Sequence, residues 1–383
     1  MMKILNSHFP LWILFVLFHL DTGFSQVAVK MAIPTIDQQA TPATIAMFEN
    51  LKNMSGRHIL FGHQEDLAYG VHWKEWHKQR SDVHDVCGKY PAVFGWEVSK
   101  LGKRSLNIDS VDFNHIKGWI RRAYKIGGVN TISWHMDNYV NGESAWNVNA
   151  GNVVAAILPG GMKHEAYKKD LDTFADFVKA LKVGFIFRKE IPIIFRPFHE
   201  HTGAWFWWGQ PHCTPDQYKA LWQFTVSYLR DEKGLHNILY AYSPDIFRDK
   251  DHYLECYPGD DWVDVLGMDD YYDLGPEGKP SELVRRLRDV VQLADARGKI
   301  PAMTETGSEC IKNPMWWTQE LLAPIAADSI ASRIAWLLVW RNARETHHYA
   351  PYPGHASVPD FIQFVNTPIM MLSDRLPDVY RTP

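Results

Sequence analysis

The sequence predicts an α/β fold, a single (β/α)8 or TIM barrel. Three observations predict it. Eight short apolar or β-branched runs recur along the chain, segments with helical spacing separate them, and each run breaks into polar or aromatic residues at its C-terminal end. Alternating strands and helices imply a parallel sheet with helical crossovers. Eight such units in 383 residues suggest closure into a barrel.

The runs in order are His58–Gly62, Ala92–Trp96, Val129–Trp134, Ile191–Phe195, Ile238–Ala241, Val263–Met268, Ile300–Thr304 and Ile334–Trp340. Their ends read His63-Gln64-Glu65, Trp96-Glu97, Trp134-His135-Met136-Asp137, and Arg196-Pro197-Phe198-His199-Glu200-His201 for the first four. The second four end in Tyr242-Ser243-Pro244-Asp245, Asp269-Asp270-Tyr271-Tyr272, Glu305-Thr306-Gly307 and Trp340-Arg341-Asn342. Turns favour Gly, Asn, Ser and Pro, so the excess of Trp, His and Glu at these ends is not explained by strand termination alone. In a barrel all eight ends open on one face, where barrel enzymes place their chemistry. Helical spacing is clearest at Ser110–Lys125, Lys163–Leu181, Pro215–Arg230, Ser281–Arg297 and Trp316–Ala327. An open doubly wound sheet is the alternative. It is weakened because Phe61-Gly62-His63-Gln64-Glu65-Asp66 is not a Gly-rich phosphate loop.

Residues 1–26 read as a signal peptide: Lys3 supplies the positive region, Leu11–Leu20 the apolar stretch, and small or polar residues follow at Thr22, Gly23 and Ser25. The apolar stretch is short for a bilayer span, and no Cys near its end provides for a lipid anchor. Export to the periplasm or outside the cell is therefore expected, with no membrane span in the mature chain. Residues 27–383 carry no linker or low-complexity stretch and form one expected catalytic domain, after a short approach segment to Thr41.

A net charge of −4 gives no concentrated basic face for nucleic acid. The chain holds 16 Trp, 16 Tyr and 19 Phe. Most belong to the core, but flat aromatic faces with a polar tip also suit sugar rings. Cys87, Cys213, Cys256 and Cys310 match no zinc spacing. They read as mostly buried and structural, with their pairing open. His199-Glu200-His201 is not a metalloprotease motif, and alternate residues of a strand end point apart. No metal and no cofactor are expected.

Two carboxylates stand out. Glu200 closes run four and Glu305 closes run seven, and on a closed barrel those ends face each other across the mouth. Glycosidic hydrolysis needs two such carboxyl groups flanking the bond. The aromatic surround of Glu200, including Ala204-Trp205-Phe206-Trp207-Trp208-Gly209, disfavours charge and suits a general acid. Hydroxyls near Glu305 suit an ionised nucleophile. His135, His199, Tyr271 and Arg341 are candidates for orienting the carboxylates or binding sugar hydroxyls. Trp146, Trp205 and Trp340 are candidate stacking platforms.

The stretch Arg196–Gly209 resembles the acid/base signature of family 26 glycoside hydrolases, mainly β-mannanases. Gly62-His63-Gln64, Ser133-Trp134-His135, Asp269-Asp270-Tyr271 and Val339-Trp340-Arg341-Asn342 resemble further motifs of that family, in order. The resemblance implies retention by double displacement, with Glu200 as acid/base and Glu305 as nucleophile. It implies that His199 supports the acid/base side and Tyr271 contacts the nucleophile. Trp205, Trp340 and His135 then line the subsite of the sugar that becomes the glycosyl-enzyme, and Asp269, Arg341 and Trp146 carry over to the same region. The implied substrate is β-1,4-mannan, galactomannan, glucomannan or manno-oligosaccharides, with β-1,3-xylan and mixed-linkage β-glucan as alternatives within the family. The long loop Asn138–Gly161 is expected to block one end of the groove if the enzyme releases mannobiose from chain ends. A non-catalytic carbohydrate-binding barrel is the reading of a different class. No protein partner is implied.

Overall fold

A computed structural model describes residues 33–74, 80–186 and 188–382. The expected signal peptide lies outside them. The chain from Ile33 onward packs as one unit. Eight parallel strands form its centre: β1 Ile59–Gln64, β2 Val93–Glu97, β3 Val129–Ser133, β4 Ile193–Arg196, β5 Ile238–Tyr242, β6 Val265–Asp270, β7 Ile300–Thr306 and β8 Trp336–Val339. Each pairs with the next, and β8 returns to β1 through Leu60↔Trp336 to His63↔Val339. This is the closed (β/α)8 barrel that the sequence predicts.

Helix α1 (Pro42–Met54) precedes the barrel. α2 (Phe113–Lys125), α3 (His164–Lys179), α4 (Pro215–Ser227) and α5 (Pro280–Arg297) are crossovers, and α6 (Val358–Asn366) follows β8. The caps explain the starts. Thr214 and Gln217 form a reciprocal capping box on α4, with Pro215 in its first turn. The Thr41 side chain accepts from the Thr44 N–H at 3.2 Å to open α1, again just before a proline. The sequence reading placed no helix at α1. It closes the foot of the barrel, where Met47, Phe48 and Leu51 join Leu60, Val93, Val129, Ile194, Leu239, Val265, Ile300 and Trp336 in one buried cluster.

Strand alternation sorts the side chains. Ile59, Phe61, Phe94, Trp96, Ile132, Phe195, Tyr240 and Leu266 pack outward against the helices. Inward residues are apolar at the foot and turn polar toward the mouth, through Glu97, Ser133, Arg196, Ser243, Asp269 and Glu305. A single irregularity in β7 sets this upper layer. Met303 stands opposite Met268, but Glu305 stands opposite Asp269, so Thr304 is one extra residue. The partner on the other side agrees, since Leu337 faces Met303 and Val339 faces Thr306. Without this bulge the alternation after Ala302 would turn Glu305 outward; with it Glu305 faces the barrel axis. Thr304 keeps its own place by lying 2.7 Å from Asp269 Oδ1 and 3.0 Å from the Met268 carbonyl oxygen.

Gly267 leaves the room that Thr304 occupies. A Cβ there would lie 2.6 Å from both Thr304 Cγ2 and Thr304 Oγ1. Gly267→Ala is therefore expected to destabilise the fold by roughly 1–3 kcal/mol through overpacking. A lower urea midpoint with an unchanged slope checks this. Turnover should fall as well, because the bulge that aims Glu305 is displaced.

Candidate active site

Glu305 reaches the mouth from β7. Its Oε1 accepts a hydrogen bond from the Tyr271 hydroxyl at 2.8 Å, and its Oε2 accepts from Arg196 Nη2. Arg196, at the end of β4, also donates from Nη1 to Asp269 Oδ2 at 2.5 Å. One guanidinium thus clamps two carboxylates, which fixes Glu305 in direction as well as place. Burial alone would lower the Arg196 pKa, but Asp269 and Glu305 outweigh it and hold the guanidinium charged.

Glu200 arrives on a strained turn. After β4, Phe198 has φ +51° and Glu200 φ +55°, the left-handed region that costs a non-glycine residue about 1–3 kcal/mol. Three hydrogen bonds hold the turn. The Glu200 N–H donates to the Ser243 carbonyl at 2.8 Å, the Tyr218 hydroxyl to the Phe198 carbonyl at 2.8 Å, and Trp208 Nε1 to the His199 carbonyl at 2.8 Å. Trp205 Nε1 donates to Glu200 Oε2 at 2.7 Å. Burial in the mouth, then the negative charge of Glu305, push the Glu200 carboxyl up to about 7. Part of the residue remains accessible from the groove.

Beside them lies a histidine pair. His135 Nε2 and His199 Nε2 are 3.2 Å apart. Buried Glu97 accepts from His135 Nδ1 at 2.7 Å, from the His135 N–H at 3.0 Å and from the Ser99 N–H at 2.7 Å. Burial opposes charge on His135, but Glu97 reverses this and raises its pKa. His199 is held well below the ordinary histidine value by burial, with the charges of Arg196 and His135 adding to it. A proton taken up by the pair therefore goes to His135 before His199. The Trp146 ring stacks on His135 at 5.0 Å between centroids, and Trp340 stands edge-on at 6.2 Å.

These side chains line a groove made of two adjoining hollows. One, of about 600 Å3, is walled by His135, Trp146, Glu200, Trp205, Tyr271, Glu305, Trp340 and Tyr349. The other, of about 670 Å3, is walled by Glu200, Trp205, Asp245, Ile246, Tyr271 and Tyr272. Glu200 belongs to both hollows and Glu305 to the first alone. A further cavity of about 440 Å3 lies where the strands begin, between residues 34–39 and 260–262, and contains none of these groups.

Seven of the ten residues singled out from the sequence line the first hollow: Glu200, Glu305, His135, Trp205, Tyr271, Trp340 and Trp146. His199 lies directly behind His135. Asp269 and Arg341 lie elsewhere. Asp269 is fully buried beneath Arg196 and Thr304. Arg341 turns away to Asp109 at 2.8 Å and to the Tyr69 hydroxyl at 3.1 Å. Sequence reading did not single out Arg196 or Glu97 as site residues, although both stood at strand ends. Of the aromatic run after Glu200, Trp205 is the exposed member; Trp207 and Trp208 are fully buried in the core. The cysteines were expected to be mostly buried and structural. Cys256 is buried, but Cys310 lies in the groove wall, and all four thiols are free. Among the described residues no cluster of His, Cys, Asp and Glu is arranged to hold a metal ion, and no helix is long and apolar enough to cross a membrane.

Comparison with known proteins places this geometry. The family model for glycosyl hydrolase family 26 matches residues 36–321. The solved structure of a GH26 β-mannanase from Bacteroides ovatus is 40% identical, with a TM-score of 0.84 over 89% of this chain and 98% of that one. A modular endo-β-1,4-mannanase from Cellulomonas fimi is 36% identical, with a TM-score of 0.83 over 91% of this chain and 80% of that one. Among curated proteins, the mannan endo-1,4-β-mannosidase of Bifidobacterium adolescentis is 33% identical over 365 residues, which is 86% of this chain and 34% of that protein. The chain thus spans about a third of that relative's length.

Proposed function

The chain belongs to glycosyl hydrolase family 26, and on that premise we propose that it hydrolyses β-1,4-mannosidic bonds in mannan, galactomannan or glucomannan with retention of configuration. The observation that carries this reading is the division of the groove: Glu200 borders both hollows, while Glu305 borders one. A bond laid across Glu200 puts one sugar over Glu305 and the other beyond it.

The chemistry follows in two displacements. The Glu305 carboxylate attacks the anomeric carbon as Glu200 gives its proton to the glycosidic oxygen, so the C–O bond breaks and the leaving chain departs as an alcohol. Glu200, now a carboxylate, takes a proton from water, whose oxygen attacks the same carbon and releases Glu305. The Tyr271 hydroxyl and Arg196 hold Glu305 in line through both steps. His135, Trp340 and Trp146 border the sugar that becomes attached.

Two forms of the reading differ in product. Cleavage within the chain is supported by the continuation of the groove on both sides of Glu200, and by the relatives named endo-acting. Release of mannobiose from chain ends is supported by the loop Asn138–Gly161, which brings Trp146 over His135. A time course on linear mannan, galactomannan, mixed-linkage glucan and β-1,3-xylan tests the reading. The expected result is a ladder of manno-oligosaccharides, and mannobiose alone from the earliest times would select the second form. Products from glucan or xylan alone would overturn the choice of sugar. Export is part of the proposal: the mature N-terminus, read by sequencing the processed protein, is expected near Gln26 or Val27.

A further inference from the structure

Run five of the sequence ends in Tyr242-Ser243-Pro244-Asp245, and the two displacements above use none of these side chains. Tyr242 is buried, and its hydroxyl donates to the Tyr253 carbonyl at 2.8 Å. The Ser243 carbonyl anchors Glu200. Asp245 is different. It is half-buried and borders the second hollow, the one that Glu200 shares and Glu305 does not. Among the described residues no side chain hydrogen-bonds to it. Its carboxyl has the Ile246 backbone N–H as a partner, and Arg286, whose charge also acts on it, is committed to Asp273 and to the Phe247 carbonyl. A carboxyl with a single backbone partner beside a groove keeps hydrogen-bonding capacity that a ligand can take up. Exposed Tyr272 stands in the same wall.

We propose that Asp245 is a specificity-determining residue for the leaving side of the bond, its carboxyl hydrogen-bonding the hydroxyl groups of the first sugar beyond the point of cleavage. This rests on the reading of Glu200 as the acid that protonates the bridging oxygen, since that is what makes the second hollow the leaving side. Burial, then the charge of Glu200, push the Asp245 carboxyl up to about 8. A protonated carboxyl both donates and accepts, which matches a sugar hydroxyl, and an ionised one still accepts from it.

The test compares two substrates with the same mannobiosyl unit on the attacked side. In mannotetraose the leaving group is a sugar; in dinitrophenyl β-mannobioside it is an aromatic ring without hydroxyls. kcat/KM reports events up to departure of that group. Asp245→Leu, close in shape and unable to hydrogen-bond, is expected to lower the ratio of kcat/KM on mannotetraose to that on the aryl substrate by roughly 3- to 10-fold. Asp245→Asn, which keeps a donor and an acceptor, is expected to restore most of the ratio. Equal losses on both substrates would assign Asp245 to structure and overturn the proposal, and a lowered ratio that Asp245→Asn does not restore would assign it to the field at Glu200 and overturn it as well. An unchanged ratio would overturn it too, with the wild-type activity and the function reading intact. A wild-type enzyme inactive on both substrates would instead overturn the function reading.

Discussion

Glu305→Ala lowers turnover of mannan by on the order of 10^5-fold or more, the scale seen when a covalent nucleophile is removed. Glu305 is turned to the barrel axis by the Thr304 bulge and held by Tyr271 and Arg196, and no other carboxylate in the upper layer takes its place. Asp269 shares Arg196 but is fully buried beneath it. The fold should survive the change, because Arg196 keeps Asp269 as its counter-ion and the vacated space opens on the groove. Azide tests the cause. With an activated aryl β-mannobioside it should enter that space, attack the anomeric carbon from the side Glu305 occupied, and yield the α-glycosyl azide. Full activity in Glu305→Ala would remove Glu305 from the mechanism.

Glu200→Ala gives the second large effect, a loss of about 10^2- to 10^4-fold on mannan, the usual contribution of a positioned general acid. The loss should be smaller on aryl glycosides whose leaving groups need no proton. The wild-type pH profile carries the same signature. Glu200 must hold its proton to act as the acid, and burial with Glu305 holds its carboxyl at about 7. Activity should therefore fall as pH rises through about 7, and this limb should be missing in Glu200→Ala assayed on the aryl substrate. Stability follows the same linkage. The folded protein keeps this proton between about 4.5 and 7, whereas the unfolded chain has released it. Unfolding then releases a proton, so this group makes stability fall as pH rises through that window. Glu200→Gln should flatten the fall, read from urea midpoints at pH 5 and pH 8.

The barrel was legible because both faces of its strands are apolar in turn and each strand ends abruptly in polar residues. Boundaries moved by a residue or two, as at Ile191–Phe195, where pairing begins after Pro192 and runs through Arg196. The helix at Pro42–Met54 was signalled by Thr41 and Pro42, but a plug at the foot of a barrel belongs to no βα repeat. Side-chain direction was the larger gap. Asp269 and Arg341 close their strands as Glu305 does, and strand position alone does not say which of the three faces the groove. The β7 bulge decides it for Glu305, and a one-residue insertion in a run reading Met-Thr-Glu-Thr leaves no mark in composition or period. Likewise Trp205, Trp207 and Trp208 are equivalent as sequence; the turn at Glu200 sends the first to the groove and the others to the core.

The proposed mechanism turns on a covalent intermediate on Glu305. Incubation with a 2-deoxy-2-fluoro-β-mannosyl fluoride, which slows both displacements but keeps the good leaving group, followed by proteolysis and mass spectrometry, tests it most directly. One fluoromannosyl adduct per chain is expected, on the peptide containing Met303-Thr304-Glu305-Thr306. An adduct on any other carboxylate, with Glu305 unmodified, would contradict the mechanism.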